Sequence, residues 1–174
     1  MKMPFVMKLT AALSFLLCVL FALLKWSAAA ITFGTICYHF TMRLLVGLTV
    51  DRIMQNHANY NHTWFQQHAW EAKLYRLLQV RKWKGRFPTY DPGLFDRRKH
   101  TTEEIIQATC QAEIVHELIA VLSFLPLLGA IPFGSFATFC ITSLLSACFD
   151  MIFVIMQRFN RPRLIHILNK NARN

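Results

Sequence analysis

Residues 118–149 carry no charge and no histidine, and that run sets what this chain can fold into. As one straight helix it would be about 48 Å long at 1.5 Å per residue, against a hydrocarbon core of about 30 Å. Pro126, Gly129, Pro132 and Gly134 fall in its middle. They break it into two helices, expected at about 112–131 and 134–157. Two further apolar stretches lie near the N-terminus. Residues 9–24 are uncharged, follow Lys2 and Lys8, and lead to Lys25-Trp26, a pair suited to the membrane interface. They predict a helix over about 5–24. Residues 27–50 predict a second, interrupted by His39 and Arg43, which share a helix face at a spacing of four. An arginine at mid-bilayer costs roughly 2.5–3.5 kcal/mol on insertion scales. Arg43 therefore faces the bundle interior or snorkels to the interface, and snorkelling is the favoured expectation.

The result is an all-α membrane protein with about four transmembrane helices, read as one integral membrane domain over residues 1–174. Ser27-Ala28-Ala29-Ala30 also fits the cleavage box of a secretory signal. The retained helix is preferred because the apolar run is long for a signal. Composition agrees with a membrane protein: 55% of residues are hydrophobic, yet the formal charge is +10 with only 16% charged residues. The basic residues are few and collected in places, and no nucleic-acid-binding motif is present. Of the five cysteines, four lie in apolar stretches and none forms a CxxC or a Cys/His metal spacing, so no metal is expected. Cys110 lies beside a polar cluster and is also read as a buried hydrophobe.

Residues 51–111 are polar, aromatic and basic. By the positive-inside rule this segment, the C-terminal tail and, with four spans, both termini face the cytoplasm. His57, His62 and His68 read as surface histidines, and Asn61-His62-Thr63 as a chance sequon. Trp70, Leu74, Leu77, Leu78 and Arg81 recur at helical spacing, so an amphipathic helix over about 70–83 is expected in the headgroup layer. Pro88 and Pro92-Gly93 then break the chain into a loop.

Four polar patches fall on the same side. Arg81-Lys82-Trp83-Lys84 is either a polybasic stretch attracted to anionic lipid or a clamp for a phosphate or donor headgroup. Arg97-Arg98-Lys99-His100 reads as a solvated charge run. Glu113, His116 and Glu117 share a helix face. Acidic residues near a helix start explain the two glutamates, but not the imidazole. A Glu113–His116 pair suits a general base that deprotonates a hydroxyl. The last patch is Gln157-Arg158-Phe159-Asn160-Arg161-Pro162-Arg163. There Pro162 is expected to turn Asn160-Arg161 out of helix and to aim the guanidinium groups at an anionic or hydroxyl-rich ligand.

These residues resemble the glycosyl-4,4'-diaponeurosporenoate acyltransferases of bacterial carotenoid glycolipid (staphyloxanthin) synthesis. The resemblance is carried by V-R-K-W-K at residues 80–84, a basic pair ahead of His100, T-x-x-A-E-[IL]-[IV]-H at 109–116, and Q-R-[FY]-N-R-P-R-L at 157–164. Order and spacing agree over about 75–170. The chain departs from the pattern at Ala108, Cys110-Gln111 and Glu117, where the family often has Glu, Arg or Lys-Arg, and Trp. The resemblance implies transfer of a fatty acyl group to a sugar hydroxyl of a membrane glycolipid in the bacterial cell membrane. The donor would be a thioester of CoA or acyl carrier protein, with no other cofactor. The residues themselves suit that chemistry, with His116 and Glu113 expected as the catalytic pair and Arg81, Lys82, Trp83, Lys84, His100, Gln157, Arg158, Asn160, Arg161 and Arg163 as substrate-binding. Membrane lipids, the donor, the glycolipid acceptor, and a second copy or a lipid-synthesis enzyme are the expected partners. The competing class is a non-enzymatic membrane protein that binds lipid headgroups or docks such an enzyme.

Overall fold

The structure is a computed structural model that describes residues 3–87 and 92–173. The described residues form seven α-helices joined by turns of 3-10 helix. They are α1 (Met3–Leu23), α2 (Ser27–Met54), α3 (Ala69–Leu77), α4 (Val80–Trp83), α5 (Thr102–Leu122), α6 (Ala130–Phe133) and α7 (Phe136–Asn171). Among the described residues four stretches are long and apolar enough to cross a membrane: Met3–Leu23, Ser27–Met54, Thr102–Phe133 and Phe136–Asn171. The chain packs as two compact units. The first comprises Met1–Thr49 with Leu118–Asp150, the second Val50–Glu117 with Met151–Asn174.

The first unit has the inverted surface of a protein dissolved in lipid. The only buried residue of α1 is Ser14, while Leu16 and Leu23 are 64% and 77% exposed. In hydrocarbon a hydroxyl has no water to bond. Thr10, Ser14, Thr35 and Ser123 accordingly donate to carbonyls one turn back, on Val6, Thr10, Ile31 and Ile119. Lys25 adopts a left-handed conformation (φ 60°) between α1 and α2. Past that turn the two helices approach closely, and a Cβ on Gly34 would lie 3.3 Å from Cys18 Sγ.

Arg43 does not snorkel in this structure. It forms an ion pair with Asp150, whose side chain is 2% exposed, and donates to Ser146 Oγ at 2.8 Å. Ser146 Oγ is also 3.2 Å from His39 Nδ1 and 2.9 Å from Ser123 Oγ. The favoured expectation failed because Asp150 stands just past the uncharged run, and a carboxylate within reach outweighs the gain from reaching water.

In the second unit α5 starts ten residues before the expected 112. Thr101 and Glu104 account for the difference by capping it reciprocally: Glu104 N–H donates to Thr101 Oγ1 at 3.2 Å and Thr101 N–H to Glu104 Oε2 at 2.9 Å. The single helix expected over 70–83 is two pieces, because Gln79 is left-handed (φ 50°) between α3 and α4. The side chains that α3 buries are Glu71 and Tyr75, whereas Trp70 and Leu77 are exposed. Pro92–Phe95 is a 3-10 turn, and Pro88 lies outside the described residues. The turn expected at Pro162 is also absent. That proline lies inside α7, which continues to Asn171. Proline removes one helical hydrogen bond and costs about 3 kcal/mol. The turn just before it is held from outside by Arg158 and Arg161.

Candidate functional site

The site grows from two helix faces of the second unit. Residues 102–117 of α5 present Thr109, Glu113 and His116, and residues 151–171 of α7 present Phe153, Arg158 and Arg161. Antiparallel apolar helices joined by a short hairpin return Arg158 to the depth of Glu113, and the two are bonded. Arg158 Nη1 donates to Glu113 Oε1 at 2.5 Å, and Arg161 Nη2 donates to Glu113 Oε2. Both Glu113 oxygens therefore face guanidinium groups.

Arg158 also clamps Glu71 of α3, with Nη2 at 2.5 Å and Nε at 3.2 Å, and donates to the backbone oxygens of Trp64 at 2.8 Å and Gln66 at 2.9 Å. Each of its five N–H groups has a protein acceptor. Arg161, 1% exposed, donates to Thr109 Oγ1 and O at 3.1 Å each and to Phe65 O at 3.0 Å, and lies over the Phe65 ring. Two arginines and two glutamates thus balance in charge and tie residues 64–66 to α3, α5 and α7. Glu71 also accepts from Tyr75 Oη and from His68 N–H. Burial alone would raise the Glu71 carboxyl, but hydrogen bonds from Arg158, Tyr75 and His68 outweigh it and hold the carboxyl below its ordinary value. Burial, together with the hydrogen bond and charge of Glu71, pushes the Tyr75 phenol up.

The remaining predicted residues divide. His116 stacks on Phe153 (centroids 4.6 Å, planes 13° apart). Phe153 meets Phe87 edge-on at 6.1 Å, and Phe87 meets Trp83 at 5.6 Å, so a series of rings runs from α4 to His116. Trp83 Nε1 donates to Leu78 O at 2.8 Å. Lys84 donates to Asn160 Oδ1 and lies 4.6 Å above the Phe159 ring. Gln157 is half-buried and Arg163 exposed. Arg81 and Lys82 turn instead into a separate cleft with Arg76. His100 lies apart from these groups, with Nδ1 3.2 Å from Glu104 Oε2 in a second cleft that also holds Asn56 and His57. His57, His62 and His68 are exposed and Cys110 is fully buried, as expected. Among the described residues no His/Cys/Asp/Glu cluster could hold a metal.

Sequence reasoning missed Glu71, Tyr75, Thr109, Gln111 and Trp64. Gln111 shows why the chain can depart from the family pattern there. Its amide oxygen accepts from Asn56 N–H at 2.6 Å and its nitrogen donates to Asp51 at 3.1 Å, and a lysine or arginine could not accept. Glu117, another departure, accepts from Trp64 Nε1 at 3.0 Å.

The arginine network and the residues around it lie within one matched segment. The family described as glycosyl-4,4'-diaponeurosporenoate acyltransferase matches residues 61–170, well over half of the chain. The chain belongs to this family. It is accordingly an acyl-transferring enzyme of the carotenoid-glycoside class, with an acyl donor and a glycolipid acceptor as its substrates. No curated protein and no solved structure matches it. The matched segment contains the whole Glu71–Arg158–Glu113–Arg161 network, His116 and the α4 basic patch. In this acyltransferase Arg158 and Arg161 spend their donors on protein groups.

Proposed function

We propose that the chain transfers a fatty acyl group from a thioester of CoA or acyl carrier protein onto a sugar hydroxyl of a membrane carotenoid glycoside. The observation that carries this reading is the ring series Trp83–Phe87–Phe153–His116, which links the basic α4 segment to the imidazole inside the family-matched region. His116 takes the proton of the sugar hydroxyl as its oxygen attacks the thioester carbonyl. The tetrahedral oxyanion is met by Lys84 and the Asn160 amide, which are already held together. The carbon–sulfur bond then breaks, and the thiolate leaves with the proton from the imidazolium. The chain shows no G-x-S-x-G sequence, which favours this direct transfer over an acyl-serine intermediate. Glu113 acts here through Arg158 and Arg161, as the centre of the frame.

The test is acyl transfer into the glycolipid fraction by membranes holding each variant. His116→Ala is expected to abolish turnover, mainly in kcat, with expression and insertion intact. Near-wild-type turnover would remove the catalytic assignment of His116 and favour a membrane protein that binds lipid headgroups or docks a lipid-synthesis enzyme. The basic 51–111 segment supports a cytoplasmic site in a bacterial cell membrane, with both termini on that side. Single cysteines at positions 98 and 172 of a cysteine-free variant should resist an impermeant thiol reagent applied to intact cells. Labelling of either one without permeabilisation would refute that orientation.

A further inference from the structure

The four-residue basic patch is divided by the fold. Trp83 and Lys84 turn toward α7, while Arg81 and Lys82 line a cleft of about 540 Å³ with Arg76, Gln79, Tyr75 and Phe159. That volume is within the roughly 300–1,000 Å³ of small-molecule sites. Its shape follows from Gln79. A left-handed residue between α3 and α4 folds the basic end of α3 back over the start of α4, so Arg76 and Arg81 border one opening. Such a backbone is uncommon for a residue with a side chain and costs about 1 kcal/mol or more. Tyr75 and Phe159 pack edge-on at 5.5 Å. Tyr75 is fixed further by its hydrogen bond to Glu71, which is itself paired with Arg158. Among the described residues lining the cleft, three are cationic and none is acidic.

We propose that this cleft seats the phosphate of the acyl donor, with the phosphate ester of a pantetheine thioester held by Arg76, Arg81 and Lys82 over the Tyr75–Phe159 rings. The assignment rests on the acyl-transfer reading above and names where that donor docks. Three cationic residues border one opening, and a guanidinium suits a phosphate through paired N–H donors. The excess of positive charge is felt along the chain. Burial first, then the charges of Arg163 and Arg81, hold the Lys84 ammonium below its ordinary pKa. The rings would carry the methyl and methylene groups of the pantetheine arm, and Phe159, which also lies under Lys84, leads that arm toward the Lys84–Asn160 pair.

The experiment uses the full chain in neutral phosphatidylcholine nanodiscs. The probes are desulfo-coenzyme A, which keeps the phosphates and cannot react, and phosphopantetheinylated acyl carrier protein. At least one should bind. Arg76→Gln and Arg81→Gln should each weaken that probe about tenfold, Arg81→Lys less, and the exposed Arg98→Gln not at all. Binding of desulfo-coenzyme A assigns the phosphate to CoA, and binding of the carrier protein alone assigns it to a carrier-borne arm. The proposal is overturned if neither probe binds, if Arg76→Gln and Arg81→Gln bind like wild type, or if only phosphatidylglycerol vesicles engage the cleft. Donor binding without transfer to the glycolipid would remove the acceptor reading and keep the cleft. Transfer with a donor KM untouched by Arg81→Gln would remove the cleft and keep the acceptor reading.

Discussion

Arg43 of the first unit and Arg158 of the second are both largely buried, and their surroundings solve the cost of burial differently. Arg43 has one carboxylate, Asp150, with a serine and a backbone carbonyl completing its contacts. Its neighbourhood leaves His39 Nε2 and Ser143 Oγ buried without a hydrogen-bond partner. Arg158 shares two carboxylates with Arg161 and takes backbone oxygens from residues 64 and 66. The first arrangement neutralises a charge inside an apolar bundle. The second also uses charge to tie α3 and residues 64–66 to α5 and α7. A buried pair stabilises little over an apolar substitute, but breaking it is costly because a charge is stranded. The two units should therefore respond differently to the same kind of damage.

The largest effect is expected for Glu113→Gln. The amide cannot accept from two guanidinium groups with both of its polar atoms, so Arg158 and Arg161 lose their shared partner. A loss of about 5 kcal/mol is expected, read as thermal unfolding of the detergent-solubilised full chain. Asp150→Asn strands one guanidinium and should cost about 3 kcal/mol. Replacing the pair together, as Arg43→Met with Asp150→Leu, should recover most of that loss. The equivalent double change at Arg158 and Glu113 should not, since Glu71 and the carbonyls of 64 and 66 stay unpaired. Full recovery in both units would make the two networks equivalent and end the distinction.

Protonation sharpens the comparison without mutating the arginine. The Glu71 pKa is depressed in the folded state, so its contribution is complete above the ordinary carboxylate value of 4.5 and is lost as the pH falls through the lower folded value. Wild type should lose stability through that acid window. Glu71→Gln should begin less stable at neutral pH and change less on acidification. Parallel pH profiles for the two would show that Glu71 is not what holds Arg158.

How much of this was legible in the sequence follows from the range of the forces. The four apolar spans were readable because lipid selects on local composition, and Pro126, Gly129 and Gly134 marked the hairpin. Hairpin geometry accounts for Arg158 lying at the depth of Glu113, but not for their pairing, since the sequence reading aimed the arginines at a ligand and Glu113 at His116. Other contacts were not legible. Arg43 and Asp150 are 107 positions apart, and Glu71 and Arg158 are 87 apart, and no local spacing encodes either pair. Gln79 carries none of the usual marks of a left-handed residue, so the break between α3 and α4 was invisible. Pro162 misled for a related reason. A proline's local preference for ending a helix was overridden where two arginines just before it are fixed through distant partners.

The smallest effects belong to the Trp64–Glu117 bond, and they test what kind of force fixes residues 64–66. The indole is 55% exposed and its Nε1 donates to Glu117 Oε2 at 3.0 Å, while the Trp64 backbone oxygen accepts from Arg158 at 2.8 Å. Trp64→Phe removes the side-chain bond and keeps the backbone one. Glu117 stays close enough to the surface for solvent to replace part of what is lost, so the cost should be about 1 kcal/mol. Glu117→Gln should cost less still, because its amide oxygen can accept the same indole N–H. If Trp64→Phe instead matched Glu113→Gln in thermal unfolding, ring packing rather than the arginine network would be holding the segment. The contrast between the two units would then be one of packing, with charge playing the same minor part in both.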